Sequence, residues 1–349
     1  MNILFSIHEL ALNGAVIALL EQARRLRDRG HGVHVITPAL EGPAAALRER
    51  FERAGIVLTQ SAALDGFDVV IGCTIFAADA LHAALGRKPI IWWIHEGYAG
   101  LRHILSNPRS AELFARADGL VFPSRAVVET VYAPLLEGAA AGRIEIVPGI
   151  VEPPPPGARA EKADGVIRIL CVGSVYPRKR QSDLIQAVAA LRGSPIECVF
   201  VGHYFAIDEP GKSLADGHPS RFVFPGALMP EQVHELYRSA DIFCLPSGDE
   251  CMPLAPVEAA WHDLPVLMAD LPTYRGVWRH GQNTLLHPPG DVELLAWNIR
   301  MLVESPRLRN RLTQQARVTA GSFRASRAVP LFEAALARAA EGTSTKTQP

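Results

Sequence analysis

Residues 152–157 read Glu-Pro-Pro-Pro-Pro-Gly (EPPPPG). Four consecutive prolines lack backbone N–H groups and hold φ at about −65°, so this stretch is neither helix nor central strand and behaves as a stiff extended spacer. It marks a domain boundary, because the same pattern lies on both sides of it: short apolar, β-rich runs alternate with helix-patterned segments, the sign of a parallel α/β sheet. Before the spacer, strands are expected at Ile3–Ile7, Val33–Thr37, Val69–Gly72 and Ile90–Ile94, with an amphipathic helix Ala15–Arg29 ended by Gly30. After it, strands are expected at Arg168–Val172, Glu197–Val201, Phe222–Phe224, Ile242–Leu245 and Val266–Ala269. Helices are expected at Ser182–Leu191, Pro230–Ser239 and Leu254–His262, and from about Val292 to Ala340. The first-half strands are nearly continuous apolar runs, which suits burial on both faces.

A chain of 349 residues exceeds a single ordinary core, so two domains agree with its length as well as its pattern. Its composition, 48% hydrophobic and 20% charged with a mean hydropathy of +0.12, is that of a well-packed globular protein. With 35 basic and 36 acidic side chains and no basic stripe, a nucleic-acid partner is not expected. No apolar run approaches the ~20 residues of a membrane span, and MNILFSIHEL has no basic leader region. Five cysteines, an odd number set mostly in strand-like runs, suit reduced thiols, and no Cys/His spacing suggests zinc. A cytoplasmic location is expected. Peripheral membrane contact through segments 44–54 and 99–117 is weakly supported, because these carry only scattered Arg.

Two segments of the second half carry chemistry. In the first, IFCLPS is followed by Glu250-Cys-Met-Pro-Leu-Ala-Pro-Val-Glu258, a strand-to-helix turn flanked by two carboxylates. Such turns aim backbone N–H groups into the crevice at the carboxyl end of a sheet, where phosphates bind. In the second, Val172–Arg180 (VGSVYPRKR) ends a strand in a glycine loop and concentrates Arg178, Lys179 and Arg180 at the same kind of edge, as a diphosphate requires. In the first half, His8, Glu9, Asn13 and Gly14 follow the first strand without the three spaced glycines of a dinucleotide fingerprint. His95 and Glu96 follow IIWWI at another strand end, where a histidine can donate, accept or exchange a proton. Read singly, each segment also fits a solvated loop or a core position.

In order, these segments resemble glycosyltransferase family 4. The resemblance runs from NGAVIALLEQARRLRDRGHGVHVIT (13–37) through VPGIVEP (147–153), VGSVYPRKRQSDLIQA (172–187), FVFPGALMPEQVHELYRSADIFCLPS (222–247), DLPVLMAD (263–270) and GQNTLLHPPGD (281–291) to SPRLRNRLTQQA (305–316). It implies the GT-B fold, two Rossmann-like doubly wound domains facing each other across a cleft. The expected division is an acceptor-binding domain at 1–151, the linker at 152–157, a nucleotide-sugar domain at 158–325, and a helix with a frayed tail at 326–349 packing back on the first domain. It implies a retaining, metal-independent hexosyltransferase using a UDP- or GDP-sugar, with a glycan, lipid-linked or small-molecule acceptor and no cofactor. Lys179, with Ser174 or Arg178, would neutralise the diphosphate; Glu258 would accept from the ribose hydroxyls and Glu250 from those of the transferred sugar. Pro253 and Leu254 would lie beside the phosphates, Leu228 beside the base, and Gly14 under the closing first-domain loop. His95 would line the sugar site, and Trp93 and Tyr98 could stack on an acceptor ring.

The chain also departs from the family pattern. Cys251-Met252-Pro253 stand where many relatives have Gly-Phe-Gly, Ser174 where Arg is common, Asp263 where Gly is common, and Asn13-Gly14 where two glycines are usual. A non-catalytic nucleotide-sugar-binding subunit and a nucleotide-sugar epimerase on the same fold are the alternatives.

Overall fold

The computed structural model describes residues 1–38, 45–136, 141–155, 157 and 165–344. Pro156 of the proline stretch, residues 158–164 of the expected second domain, position 44 of the expected 44–54 segment and the last five residues lie outside the described residues. The chain divides into two compact units, Met1–Ile150 with the chain from Arg324 onward, and Val151–Phe323.

In the first unit, seven parallel strands form one sheet: β1 Asn2–Ser6, β2 Gly32–Ile36, β3 Val57–Thr59, β4 Val69–Cys73, β5 Ile90–Trp93, β6 Gly119–Phe122 and β7 Ile144–Ile146, in the order β3-β2-β1-β4-β5-β6-β7. β4, β5 and β6 are buried along their whole length, so both Trp92 and Trp93 are core residues. Helix Gly14–Asp28 is capped by Asn13, whose side chain accepts from Val16 N at 3.0 Å, and is closed by Gly30 at φ 91°. The expected 99–117 helix is two helices, Tyr98–Ser106 and Pro108–Arg116, because Asn107 caps the second and Pro108 starts it. Helix Ala325–Ser344 packs on helix Gly14–Asp28 and on the sheet. Its Phe332 meets Phe5 and Trp93, its Glu333 takes Arg29 Nε at 2.7 Å and faces His31, and its Arg338 pairs with Glu145.

The second unit repeats the architecture with six parallel strands: β8 Ile167–Val172, β9 Ile196–Val201, β10 Phe222–Gly226, β11 Ile242–Leu245, β12 Val266–Ala269 and β13 Leu285–His287, in the order β10-β9-β8-β11-β12-β13. In each sheet the strand order reverses once, between β1 and β4 and between β8 and β11. These are the topological switch points, outside whose carboxyl ends open α/β sheets bind ligands. Strands β3, β6, β7 and β13, of three or four residues, have no counterpart among the sequence expectations.

Candidate functional site

At the switch point of the second unit, β8 ends at Val172 and Gly173 follows with φ 148°. The parallel exit from β9 passes so close that a Cβ on Gly202 (φ 149°) would collide with the Gly173 carbonyl. Ser174 gives its carbonyl to Gln181 Nε2 at 3.0 Å, and a 3-10 turn Pro177–Lys179 leads into helix Gln181–Ala190. Arg180 closes that turn in the left-handed region (φ 54°), its side chain tied to Asp183 at 2.7 Å. With the turn so held, Lys179 Nζ donates to Glu250 Oε1, an ion pair whose side chains are 15% and 10% exposed. Arg178 lies 5.2 Å from the centre of the Tyr176 ring and donates to the Tyr176 hydroxyl and the Asp249 carbonyl. Its own carbonyl accepts from Gly248 N at 2.9 Å, stitching the two loops together.

From Glu250 the chain runs inward: Cys251 and Met252, the first two of the three residues that replace the usual Gly-Phe-Gly, are buried, and Met252 joins the core. Pro253 and Leu254 are half-buried and lead into helix Ala255–Trp261, with Leu254 at its cap and Glu258 in its first turn. The Tyr237 hydroxyl donates to Glu258 Oε2 at 2.8 Å, while surrounding protein raises this carboxyl above the ordinary range. Thr273 Oγ1 donates to the Glu250 carbonyl at 2.8 Å. Leu228 packs against the core beside this helix. Asp263 adopts φ 57° and pairs with Arg317 at 2.7 Å, taking the left-handed turn otherwise given to glycine. The structure thus brings Arg178, Lys179 and Glu250 into one cluster and sets Glu258 on the helix that follows. Tyr176, Tyr237, Asp249 and Thr273 complete the arrangement; Tyr176 lies inside the VGSVYPRKR segment, two residues from its partner Arg178, while nothing local marks the other three, which meet their partners across tens of positions.

In the first unit, Gly14 is exposed at the start of its helix with open space where a Cβ would stand. His95 follows β5, its ring 4.4 Å from that of Trp93 and its Nε2 3.4 Å from Cys73 Sγ. Burial lowers its pKa to about 4, so near neutral pH the imidazole is an uncharged hydrogen-bonding group rather than a general acid. Burial also raises Glu96 to about 7, although Oε2 accepts from both Ile75 N and His95 N at 3.1 Å. Trp93 does not offer a stacking face: it is 2% exposed and packed between His95 and Phe332. A strand buried on both faces by helices leaves no outward side for the alternation to reach. Tyr98 is exposed and donates to the Thr130 carbonyl at 3.3 Å.

Two family models match the chain. "Glycosyltransferase Family 4" matches residues 12–153 and "Glycosyl transferases group 1" residues 158–319. The chain belongs to glycosyltransferase family 4. Its two parallel-sheet units are those of the GT-B class. Among solved structures, this family 4 chain superposes on Anabaena Alr3699/HepE in complex with UDP and glucose, with a TM-score of 0.78 and 18% identity over 97% of this chain and 99% of that one. It is 31% identical over 118 residues to the alpha-galactosylglucosyldiacylglycerol synthase of Streptococcus pneumoniae, covering 32% of this chain and 31% of that protein. It is likewise 31% identical over 138 residues to the phosphatidyl-myo-inositol mannosyltransferase of Mycobacterium leprae, covering 39% and 36%. The matched stretches span about a third of these curated relatives. Among the described residues, no helix is long and apolar enough to cross a membrane, and no group of three or more His, Cys, Asp or Glu is placed to hold a metal ion.

Proposed function

We propose that the chain is a retaining glycosyltransferase that moves a hexose-type sugar from a UDP- or GDP-sugar to a hydroxyl of a glycan, lipid-linked or small-molecule acceptor. The Val151–Phe323 unit holds the donor and the Met1–Ile150 unit the acceptor. The observation that carries this reading is the cluster of Lys179, Arg178 and Glu250 at the β8/β11 switch point, with Glu258 on the helix beyond. Two cations beside two carboxylates suit one extended ligand: a diphosphate for Lys179 and Arg178, sugar hydroxyls for Glu250, ribose hydroxyls for Glu258. Ser174, Pro253 and Leu254 border the phosphates and Leu228 the base.

In this mechanism the bond from the anomeric carbon to the diphosphate oxygen breaks, and the acceptor oxygen bonds to the same face of that carbon. The acceptor proton passes to the departing phosphate oxygen. No protein base is needed, which agrees with an imidazole at His95 that stays uncharged near neutral pH. The protein contributes positioning and stabilises the charge on the leaving diphosphate.

Calorimetry with UDP-, GDP- and ADP-glucose tests the reading. One donor should bind the parent, and Glu258→Ala should weaken it roughly 10- to 100-fold, the weight of hydrogen bonds to a charged group. Donor affinity unchanged in both Glu258→Ala and Lys179→Ala would sink it.

A further inference from the structure

The first unit has its own switch point, and the residues leaving its two strands meet there. His8, beyond β1, places Nδ1 3.2 Å from Oγ1 of Thr74, beyond β4. Thr74 is buried and has φ 78° and ψ 164°, a region almost reserved for glycine that costs on the order of 1–3 kcal/mol. The surroundings over-determine it. Thr74 N donates to Trp93 O at 3.0 Å, Trp92 Nε1 donates to Thr74 O at 2.8 Å, and Thr74 Oγ1 accepts from Phe76 N at 3.3 Å. Glu96 Oε2 then fixes the next amide, Ile75 N.

This distortion has a definite product. Ile75 turns into the core at 3% exposure, and Phe76 stands out at 56%. The ring of His8 lies 4.8 Å from that of Phe76 at 52°, and the ring of His103 lies 5.7 Å away at 62°. A lone exposed Phe means little. A Phe held out by a strained, buried residue, at a switch point and between two imidazoles, is a built feature.

We propose that Phe76, flanked by His8 and His103, is the platform on which the acceptor stacks a sugar ring, so that the acceptor is a glycan or a glycolipid headgroup rather than a non-sugar alcohol. The C–H face of a pyranose is apolar and lies on an aromatic face, while its rim of hydroxyls needs donors and acceptors at the edge. Phe76 supplies the first, and the second comes from the His8 Nε2 edge, beside Glu9 Oε1 at 3.6 Å, and from His103 Nδ1, since His8 Nδ1 meets Thr74 and His103 Nε2 lies 3.4 Å from Ser110 Oγ. The proposal rests on the glycosyl-transfer reading, and it puts Phe76 in the place that Trp93, being buried, does not fill.

The test follows transfer by the full chain, with the nucleotide sugar selected by calorimetry and a panel of methyl and octyl gluco-, galacto- and mannopyranosides as acceptors. The parent should use at least one glycoside. Phe76→Ala should raise the acceptor KM roughly 5- to 10-fold, the weight of an aromatic contact. Phe76→Tyr should restore the acceptor KM, and the donor Kd should stay within about 2-fold in both variants. Equal use of methyl and octyl glycosides identifies a free glycan, an octyl preference a glycolipid headgroup, and both support the proposal. It is overturned if the parent uses glycerol or myo-inositol but no glycoside, or if Phe76→Ala leaves the acceptor KM unchanged. A parent that binds no nucleotide sugar overturns the transfer reading instead.

Discussion

The two units reach their switch points by the same topology and furnish them with opposite chemistry. Beyond β8 and β11 the polar groups carry full charge in pairs: Lys179 with Glu250, Arg178 beside Asp249, Arg180 with Asp183. Beyond β1, β4 and β5 stand Thr74, an imidazole at His95 that stays uncharged near pH 7, a Glu96 carboxyl raised to about 7, and an exposed Glu9 3.6 Å from His8, with no Lys or Arg among them. A diphosphate needs formal positive charge, whereas hydroxyls need hydrogen bonds and a dry, apolar face. One fold can carry either chemistry, because a parallel sheet dictates where its loops emerge and not what they carry.

The sharpest way to break this contrast is at the charged edge. Lys179→Ala removes the ion-pair partner of the poorly exposed Glu250, leaving Arg178 as the nearby cation, and should cost about 3 kcal/mol in chemical denaturation, the low end for a broken buried pair. The double variant Lys179→Met with Glu250→Leu should regain most of that stability while donor binding stays lost. A double variant that still binds the donor would show that the pair is structural only.

At the neutral edge the expected signature is a pH dependence that nearly cancels. His95 drops from 6.5 to about 4, so between these values the unfolded chain holds the extra proton and stability rises with pH. Glu96 rises from 4.5 to about 7, so the native state holds the extra proton and stability falls over an overlapping window. Each shift is worth roughly 3 kcal/mol. Glu96→Gln, which keeps an acceptor for Ile75 N and His95 N, should therefore gain stability relative to the parent between pH 4.5 and 7, and His95→Asn should lose it between pH 4 and 6.5. Flat differences for both variants, from urea melts across that range, would refute the picture of opposed buried groups.

Two smaller effects refine the comparison. Gly202→Ala, which drives a methyl into the Gly173 backbone, should cost roughly 1–3 kcal/mol, with a parallel loss of donor affinity if the loop after β8 holds the diphosphate as proposed. Tyr237→Phe removes the hydroxyl that Glu258 accepts and should weaken donor binding by about 1 kcal/mol, roughly 5-fold by calorimetry, leaving acceptor KM unchanged.

Much of the charged edge is legible in the chain, because its parts are local. Lys179 follows a strand and glycine within a few positions, and Glu250 and Glu258 bracket one strand-to-helix turn. Alternating apolar strands and helices determine a doubly wound sheet on either side of EPPPPG, since both periodicities are short-range properties. Tertiary structure alone decides what depends on contact between distant positions. It buries Trp93 under a helix that arrives more than two hundred residues later, and it supplies Tyr237 to Glu258 and Thr273 to Glu250. It also holds Thr74 in a glycine-like conformation through groups from β5 and the loop after β1, and so turns Phe76 outward from a segment, TIFA, whose sequence reads as ordinary core. Local periodicity specifies an element's face only until another element covers it, and which face is covered is settled by packing.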